Sequence, residues 1–336
     1  MSWPIEHFHY MPAPSSFIEM MPGAMKAMTQ CAAVKPGENV VIACDTNKLR
    51  LAETLAAAAY AVGGVPTITA FAPTGAHGRQ VPEPVVGACA KADVYFLPTS
   101  WSMTHTDARI AAQGAGARGS TMCEVTEDCL AAGGILADFE EADALGRKIG
   151  VLMEAATDIR LTTPAGTDMR AKISNRPVQY ETGLFREPGQ FGALPNSELN
   201  VSPIEGTTEG VFVGDVRIMG YGIIPDEPVT IEVRDGEVSK ISGGNGARYL
   251  EETLASFKDR SAYNLAEFAV GLNPEARGYA TNLEGLGKLG FAHHGIGSNY
   301  AIGGDVKAPC HIDVIYKQES LELDGKLVLE DGVFVG

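Results

Sequence analysis

The sequence predicts an α/β fold, with an amino-terminal, largely parallel sheet flanked by helices and a carboxy-terminal, strand-rich α+β domain. Strand-like and helix-like stretches alternate in the first half, which favours a parallel sheet. From about Asp158 onward, turns and short strands dominate instead. The chain has 336 residues, enough for two domains of ordinary size. We therefore predict domains at 1–157 and 158–336.

The strands and helices of the first half are predicted from short apolar runs and from the capping and glycine residues at their ends. Buried strands are expected over 39–43, 65–70 and 92–97. A helix over 51–56 is expected to begin with a cap from Asp45, Thr46 or Asn47 and to end at Gly63. A further helix is expected over 139–156. No glycine fingerprint follows the first strand, so nothing supports a dinucleotide site.

In the second half, three Asp-Gly pairs predict tight hairpin turns at 235–236, 324–325 and 331–332. Around the first pair, residues 229–233 and 238–241 alternate between apolar and polar side chains, as half-buried strands do. One helix is expected to interrupt these strands, over 247–257. A strand is expected over 312–316.

Composition restricts the partners and the compartment. The formal net charge is −16, with 42 acidic and 26 basic residues, which argues against a nucleic-acid or anionic-membrane surface. The start of the sequence lacks the basic and apolar regions of a signal peptide, and no stretch reaches the roughly 18 apolar residues of a membrane helix. The six cysteines are scattered, which predicts reduced thiols and a cytoplasmic location.

The strongest candidate site lies near the end of the chain. His311 and Asp313 are two residues apart, so a strand would point both side chains to the same face. They follow a glycine-rich run at 295–304, where the backbone can approach a ligand closely. We predict that they bind a divalent metal, so that 158–336 is the metal-binding catalytic domain. The alternative is a buried His–Asp pair with a structural role.

Other candidate ligands lie upstream. His293 and His294 are adjacent, and a strand would point them in opposite directions, so we choose His293 as the ligand and leave His294 a supporting or proton-transfer role. Glu267 lies in an apolar stretch, where an unpaired carboxylate is costly to bury. A metal would compensate for that cost, and the alternative partner is Arg277.

Four further residues are weaker candidates. Glu198 and Glu205 are carboxylates that, taken alone, would be ordinary loop residues. Tyr300 could donate a proton or stabilise an oxyanion, or it could be a packed aromatic. His105 follows the third predicted strand, and ligands bind at the carboxyl ends of strands in open α/β sheets. The alternative for His105 is a polar residue at the start of a helix.

Taken together, these segments resemble the aminopeptidase T family of dinuclear metallopeptidases. The resemblance rests on motifs at 164–168, 194–198, 205–207, 266–274, 293–297 and 311–313. It implies two Zn, Co or Mn ions held by Glu198, Glu267, His293, Tyr300, His311 and Asp313. It also implies Glu198 or Glu205 as the general base, Tyr300 as the oxyanion donor, a peptide or small amide as substrate, and a homodimer.

The chain is also similar to 2,5-dihydroxypyridine 5,6-dioxygenase, a mononuclear Fe(II) ring-cleaving enzyme, in motifs at 187–190 and 309–313. That resemblance implies one iron held by His, Ser, His and Asp, with His105 as a catalytic base. The last two ligands fall on His311 and Asp313, whereas the first falls on Glu267 and the Ser on Gly295. We therefore expect a metal-dependent hydrolase, with an Fe(II) dioxygenase acting on a dihydroxypyridine-like ring as the alternative. A non-catalytic binding protein is disfavoured by the full ligand set.

Overall fold

The computed structural model describes residues 17–104, 106–224 and 227–336. The chain divides into two compact units. Unit 1 runs to Leu136 and includes Phe185–Phe191, and unit 2 comprises Ala137–Leu184 and Gly192–Gly336. Among the described residues, no helix has both the length and the apolar character needed to cross a membrane. The six cysteines all lie in the described part and are free thiols, as predicted.

The described residues form both helices and many short strands. The helices are α1 (Phe17–Lys26), α2 (Leu49–Ala61), α3 (Glu83–Cys89), α4 (Asp107–Gly114), α5 (Glu127–Ala131), α6 (Phe139–Ala155), α7 (Asn245–Ser256) and α8 (Asn282–Leu286). The strands are β1 (Asn39–Asp45), β2 (Val65–Phe71), β3 (Val94–Thr99), β4 (Arg118–Cys123), β5 (Asp158–Thr162), β6 (Asp168–Lys172), β7 (Val178–Glu181), β8 (Phe191–Ala193), β9 (Glu198–Val201), β10 (Glu209–Gly214), β11 (Arg217–Ile218), β12 (Gly222–Ile223), β13 (Val229–Arg234), β14 (Glu237–Ser242), β15 (Phe268–Gly271), β16 (Phe291–Gly297), β17 (His311–Lys317), β18 (Ser320–Leu323), β19 (Lys326–Glu330) and β20 (Val333–Phe334).

Unit 1 is built on a sheet in which its strands have the order β2-β1-β3-β4. Strand β1 pairs in parallel with β2 and β3, and β3 pairs in parallel with β4, which confirms the predicted α/β sheet. Every residue of β3 and β4 is buried, as expected of parallel strands covered on both faces. At the end of β1, the Asp45 carboxylate accepts a hydrogen bond from the Asn47 amide at 3.0 Å and caps a short turn before α2.

Unit 2 contains two antiparallel sheets. One has the order β14-β13-β10-β6-β5-β18-β19-β20, and the other, termed the site sheet, has the order β12-β11-β17-β16-β15-β9-β7. Apolar residues of both sheets form one core, which includes Phe212 and Ile231 of the first and Phe268 and Val314 of the site sheet. This arrangement confirms the strand-rich carboxy-terminal half.

Helix α6 belongs to unit 2, whereas the predicted boundary at 157/158 placed its sequence in the first domain. The reason is packing that the local sequence does not show. Ile149 and Met153 enter the core of unit 2, and Gly146 and Gly150 bring the helix close to Leu272 and Tyr180, respectively.

The three Asp-Gly turns join β13 to β14, β18 to β19 and β19 to β20, as predicted. In each pair both residues have positive φ, for example 50° at Asp235 and 76° at Gly236. Such a two-residue turn requires a left-handed backbone at both positions, which Asp tolerates and Gly adopts without strain. The predicted strands and helix around the first pair are β13, β14 and α7.

Candidate metal centre

The site sheet brings the candidate ligands to one face through its strand register. On β17, His311 and Asp313 lie opposite Gly297 and Gly295 of β16, two glycines that leave the space beside them open. On β16, His293 lies opposite Ala269 of β15. Because side chains alternate along a strand, His311, Asp313 and His293 all project from the same side of the sheet.

The same register adds carboxylates from neighbouring strands. Glu198 of β9 is paired with Gly271 of β15 on one side and with Glu181 of β7 on the other. Glu267 immediately precedes β15 and belongs to the same alternation as Ala269 and Gly271. Four acidic side chains and two imidazoles therefore share one face of the sheet.

Two groups of three ligand atoms have the spacing of metal-binding sites, and they share Glu267. In each group, the atoms all lie within 4.8 Å of one another. In the first group, His311 Nε2 is 2.9 Å from Glu267 Oε2 and 3.1 Å from Asp313 Oδ1. In the second, His293 Nε2 is 3.8 Å from Glu267 Oε2 and 4.0 Å from Glu198 Oε2.

Four members of the cluster are buried, Glu181 and His311 are partly exposed, and burial influences the protonation of the group. Burial, reinforced by the neighbouring acidic groups, raises the pKa of Glu198 well above its usual value and raises the pKa of Glu181 to about 7. Burial opposes ionisation of His311 as well, but Asp313 and Glu267 outweigh it and raise the pKa of His311 well above its usual value. A proton on His311 thus offsets part of the negative charge, and a bound cation would replace it.

One oxygen of the cluster has no hydrogen-bond partner, and another faces a protonated imidazole. Among the described residues, the buried Glu198 Oε2 accepts no hydrogen bond, and Asp313 Oδ1 lies 3.1 Å from His311 Nε2. Unsatisfied buried polar atoms are costly, and a metal ion would offset the cost for Glu198 Oε2 and take the place of the His311 proton beside Asp313. Imidazole nitrogens with carboxylates suit Fe(II), Zn and Mn, so the residues present fit a divalent metal.

His311 is held by the loop that precedes β17. Its Nδ1 lies 2.7 Å from the carbonyl oxygen of Ser298. A carbonyl can only accept, so Nδ1 carries the proton and Nε2 is the atom available to a metal. At Gly295, a Cβ atom would lie 2.6 Å from His311 Nε2 and 2.9 Å from Glu267 Oε2. The absence of a side chain at this position keeps the ligand atoms together.

His294 projects to the opposite face of β16. Its Nδ1 is 2.9 Å from the Glu267 carbonyl oxygen, and its Nε2 is 3.0 Å from the Tyr316 hydroxyl. The ring packs edge-on against Phe212 and Phe268. Burial lowers the pKa of His294 to about 3, so the ring is neutral. Its contacts hold the backbone that carries Glu267.

The remaining candidates lie elsewhere or outside the described residues. Tyr300 is 56% exposed, and the Lys307 ammonium lies 4.0 Å from the centre of its ring. Glu205 forms an ion pair with Arg176 and is not a member of either ligand group. His105 lies outside the part of the chain that the structure describes. Their catalytic roles stay predictions.

Sequence reasoning did not single out Glu181, whereas it selected Glu267 as a ligand in preference to a partner of Arg277, and Glu267 belongs to both ligand groups. Glu181 ends a short strand with no motif around it, and it joins the cluster only through its pairing with Glu198. Arg277, the alternative partner of Glu267, forms an ion pair with the buried Glu284 at 2.9 Å.

Comparisons with known proteins identify the family. The family described as 2,5-dihydroxypyridine 5,6-dioxygenase (NicX) matches residues 20–336. A 2,5-dihydroxypyridine 5,6-dioxygenase of Pseudomonas putida KT2440 is 30% identical over 192 residues, which is 54% of this chain and 55% of the relative. The matched segment therefore spans about half the length of that curated relative.

Two solved structures have a similar fold. The 2,5-dihydroxypyridine dioxygenase from Pseudomonas putida KT2440 has a TM-score of 0.81 at 21% identity, over 96% of this chain and 99% of that chain. Wild-type AmpT from Thermus thermophilus has a TM-score of 0.67 at 14% identity, over 96% of this chain and 100% of that chain.

The preferred prediction of an aminopeptidase T type hydrolase was wrong. The likeness to AmpT is one of fold alone, at 14% identity, whereas the dioxygenase family matches nearly the whole described chain. The motifs shared with the peptidase mark the common scaffold and do not specify the reaction. The predicted homodimer stays a prediction. By the match over residues 20–336, the chain belongs to the 2,5-dihydroxypyridine 5,6-dioxygenase family.

Proposed function

We propose that this chain is an Fe(II)-dependent dioxygenase that opens the ring of a dihydroxylated N-heterocycle of the 2,5-dihydroxypyridine type. The observation that supports the proposal most directly is the buried cluster around Glu267, in a chain that belongs to this family. The cluster supplies nitrogen and oxygen ligands on a rigid sheet, which is the ligand chemistry of non-haem iron sites.

Glu267, His293, His311 and Asp313 would hold the iron. When bound, Fe(II) supplies the one-electron and oxygen chemistry that amino-acid side chains lack. The protein holds the ligand side chains in position before a metal binds. The paired strands β16 and β17 do so for three of them, since His293, His311 and Asp313 lie on adjacent, directly hydrogen-bonded strands.

The carboxylates beside these ligands would handle protons. A ring hydroxyl group loses its proton when it binds a cation, and a nearby base must accept that proton. Glu198 Oε2 is the candidate acceptor, because it is buried without a hydrogen-bond partner among the described residues and lies 4.0 Å from His293. A bound cation would lower the raised pKa of Glu198 and leave the carboxylate ionised, as an acceptor must be. Asn200 donates a 3.2 Å hydrogen bond to the other oxygen and fixes its direction. His105 is retained as a proposed second base.

The test begins with the metal. The purified protein is stripped with a chelator, reloaded under anaerobic conditions with Fe(II) or with Zn(II), and mixed with 2,5-dihydroxypyridine in an oxygen electrode. We expect oxygen uptake and loss of the ring absorbance with Fe(II) only, since Zn(II) has no redox chemistry. Singly hydroxylated pyridines serve as matched controls and are expected to be poor substrates because they lack the second electron-donating hydroxyl group, so the ring is harder to oxidise.

Fe(II)-loaded protein that consumed no oxygen with any dihydroxylated N-heterocycle would contradict the proposal. Turnover that was equal with Zn(II) would also contradict it, since the reaction would then need no redox metal. A Glu198→Gln variant separates binding from proton transfer. It is expected to bind iron but to lose turnover most strongly at low pH, where solvent hydroxide cannot replace the base.

A further inference from the structure

We infer that Asn299, Glu205 and Arg176 form a clamp that positions the metal ligand His311. The inference rests on the metal site of the proposed function and goes beyond it, because none of the three residues belongs to the ligand groups. These residues are called the loop clamp below. They act on the segment between β16 and β17, which includes the Ser298 carbonyl that orients the His311 ring.

The first step is the fixation of the loop by Asn299. Its side chain is fully buried, and its Oδ1 accepts a 2.8 Å hydrogen bond from the Val306 amide. Its own backbone amide donates to the Val306 carbonyl at 3.2 Å, and its carbonyl accepts from the Gly304 amide at 2.9 Å. Asn299 therefore ties both ends of the turn 299–306 together, directly beside Ser298.

The second step is the attachment of this loop to a separate segment. Asn299 Nδ2 donates a 2.8 Å hydrogen bond to Glu205 Oε1, which also accepts from the Asp305 amide at 2.9 Å. The other Glu205 oxygen is paired with Arg176, whose Nη1 donates to the Gly303 carbonyl at 2.7 Å. Glu205 and Arg176 thus hold the loop at three points.

The charge on Glu205 suits this role. Burial opposes ionisation, but the Asp305 amide, the Asn299 side chain and the Arg176 guanidinium together lower the pKa of Glu205. Both oxygens are engaged, so the carboxylate is fixed in place. A general base needs an oxygen that is free to accept a proton. A carboxylate that fixes a loop needs both oxygens held by its partners.

The third step connects the clamp to the metal ligand. The Ser298 amide donates to the Cys310 carbonyl at 2.8 Å, and Cys310 immediately precedes His311. The Ser298 carbonyl then faces His311 Nδ1 at 2.7 Å. Displacement of the loop would move this acceptor and free the ring to turn, and partners of this kind typically change metal affinity about 10–100-fold.

The experiment uses Co(II) as the probe metal, with affinity measured by chelator competition and coordination followed by the visible spectrum. Asn299→Asp is nearly isosteric but places a carboxylate against Glu205. We expect Co(II) affinity to fall about 10-fold with altered visible bands. The double variant Asn299→Asp/Glu205→Gln restores a donor opposite an acceptor at this pair and is expected to bind Co(II) more tightly than Asn299→Asp, with part of the affinity recovered.

Asp168→Asn is the matched control, because Asp168 also forms an ion pair with an arginine, Arg160, but lies on the other sheet. Its Co(II) affinity and spectrum are expected to equal those of the wild type. If Asn299→Asp does not fold, Glu205→Gln alone is expected to lower the affinity severalfold, since it removes the charge that faces Arg176.

The clamp would be overturned by a folded Asn299→Asp, or in its place a folded Glu205→Gln, that binds Co(II) as the wild type does. A double variant no better than Asn299→Asp would overturn it as well, since a merely structural defect has no reason to be rescued. Wild-type protein that bound no Co(II) would overturn both the clamp and the proposed function, whereas a change confined to the variants bears on the clamp alone.

Discussion

The two faces of the site sheet are built from the same strands and differ in nearly every chemical respect. One face carries Glu198, Glu267 and His293, whose ligand atoms lie within 4.8 Å of one another, and Glu198 Oε2 accepts no hydrogen bond from the described residues. The other contributes Ile296 and Val314 to the core of unit 2. His294, on this second face, has both ring nitrogens engaged and is packed between aromatic rings.

The difference teaches how one sheet can serve both stability and chemistry. Burial of apolar side chains on one face supplies the free energy that fixes the strands. The other face then holds several carboxyl groups close together, and their burial and mutual repulsion cost free energy in the absence of a cation. The apolar face thus stabilises an arrangement that the residues of the site would not form by themselves. Substitutions on the apolar face should therefore change the free energy of unfolding, whereas substitutions on the ligand face should change metal affinity.

The largest effect is expected at Asp313. Replacement by Ala removes a ligand, and metal affinity should fall by more than about 100-fold, beyond the range typical of residues that only support ligands. The metal-free protein should remain folded, because Asp313 makes no contribution to the apolar core. Metal analysis and circular dichroism measure the two effects. Full metal content in this variant would end the interpretation of this face as a metal site.

Gly295→Ala tests the space between the ligands. The added Cβ would lie 2.6 Å from His311 Nε2, closer than such contacts occur, so the ligand atoms must separate. We expect metal affinity to fall about 10-fold or more. Gly325→Ala is the control. That glycine has a φ of 76° with open space around it, so its substitution should cost about 1 kcal/mol of stability and leave metal affinity unchanged.

Ile296, the next residue along β16, should show the reverse behaviour. Its side chain is fully buried in the core, and Ile296→Ala should lower the free energy of unfolding by about 2–5 kcal/mol. Metal affinity of the folded variant should change far less than in Gly295→Ala. Urea unfolding of the metal-free protein and chelator competition provide the comparison. Equal losses of metal affinity in both variants would show that the faces are not separable.

Glu319 provides a smaller, pH-dependent test of buried carboxylates outside the cluster. It is fully buried without a hydrogen-bond partner among the described residues for either side-chain oxygen, and burial, with a contribution from Asp331, raises its pKa to about 8. Because the folded protein holds this proton more tightly than the unfolded chain, the contribution of Glu319 to stability should be greatest below about pH 4.5. This contribution should decline by up to about 1.4 kcal/mol per pH unit as the pH rises towards about 8.

Glu319→Gln should remove this dependence, since the amide remains neutral. The variant and the wild type should have similar stability near pH 5, and the variant should be the more stable near pH 8. Urea unfolding at several pH values measures the difference. If the difference in unfolding free energy between the variant and the wild type did not grow with pH, the raised pKa of Glu319 would be contradicted.

Features carried by neighbouring residues could be predicted from the sequence. The Asp-Gly turns, the strands around them and α7 depend on local backbone preferences. The opposite orientations of His293 and His294 follow from the two-residue period of a strand, as does the shared face of His311 and Asp313. Such arguments need no knowledge of which strand lies beside which.

The register between distant strands could not be predicted in this way. Glu181 joins the cluster because β7 pairs with β9, and no pattern near Glu181 indicates that pairing. The engagement of Glu205 by Arg176 depends on the loop before β17, and the sequence only showed a carboxylate in a turn. Helix α6 joined unit 2 through contacts with residues far along the chain.

The sequence by itself determined the type of those elements that have a strong local pattern, and the residue types that could hold a metal. Only the tertiary structure decided which carboxylates face the imidazoles, which histidine is a core residue, and which glutamate is part of a clamp. The physical reason is the separation along the sequence over which each interaction acts. Turn and strand preferences act between neighbours, whereas a buried charged cluster is assembled by strand pairing across the chain and maintained by a core on the opposite face of the same sheet.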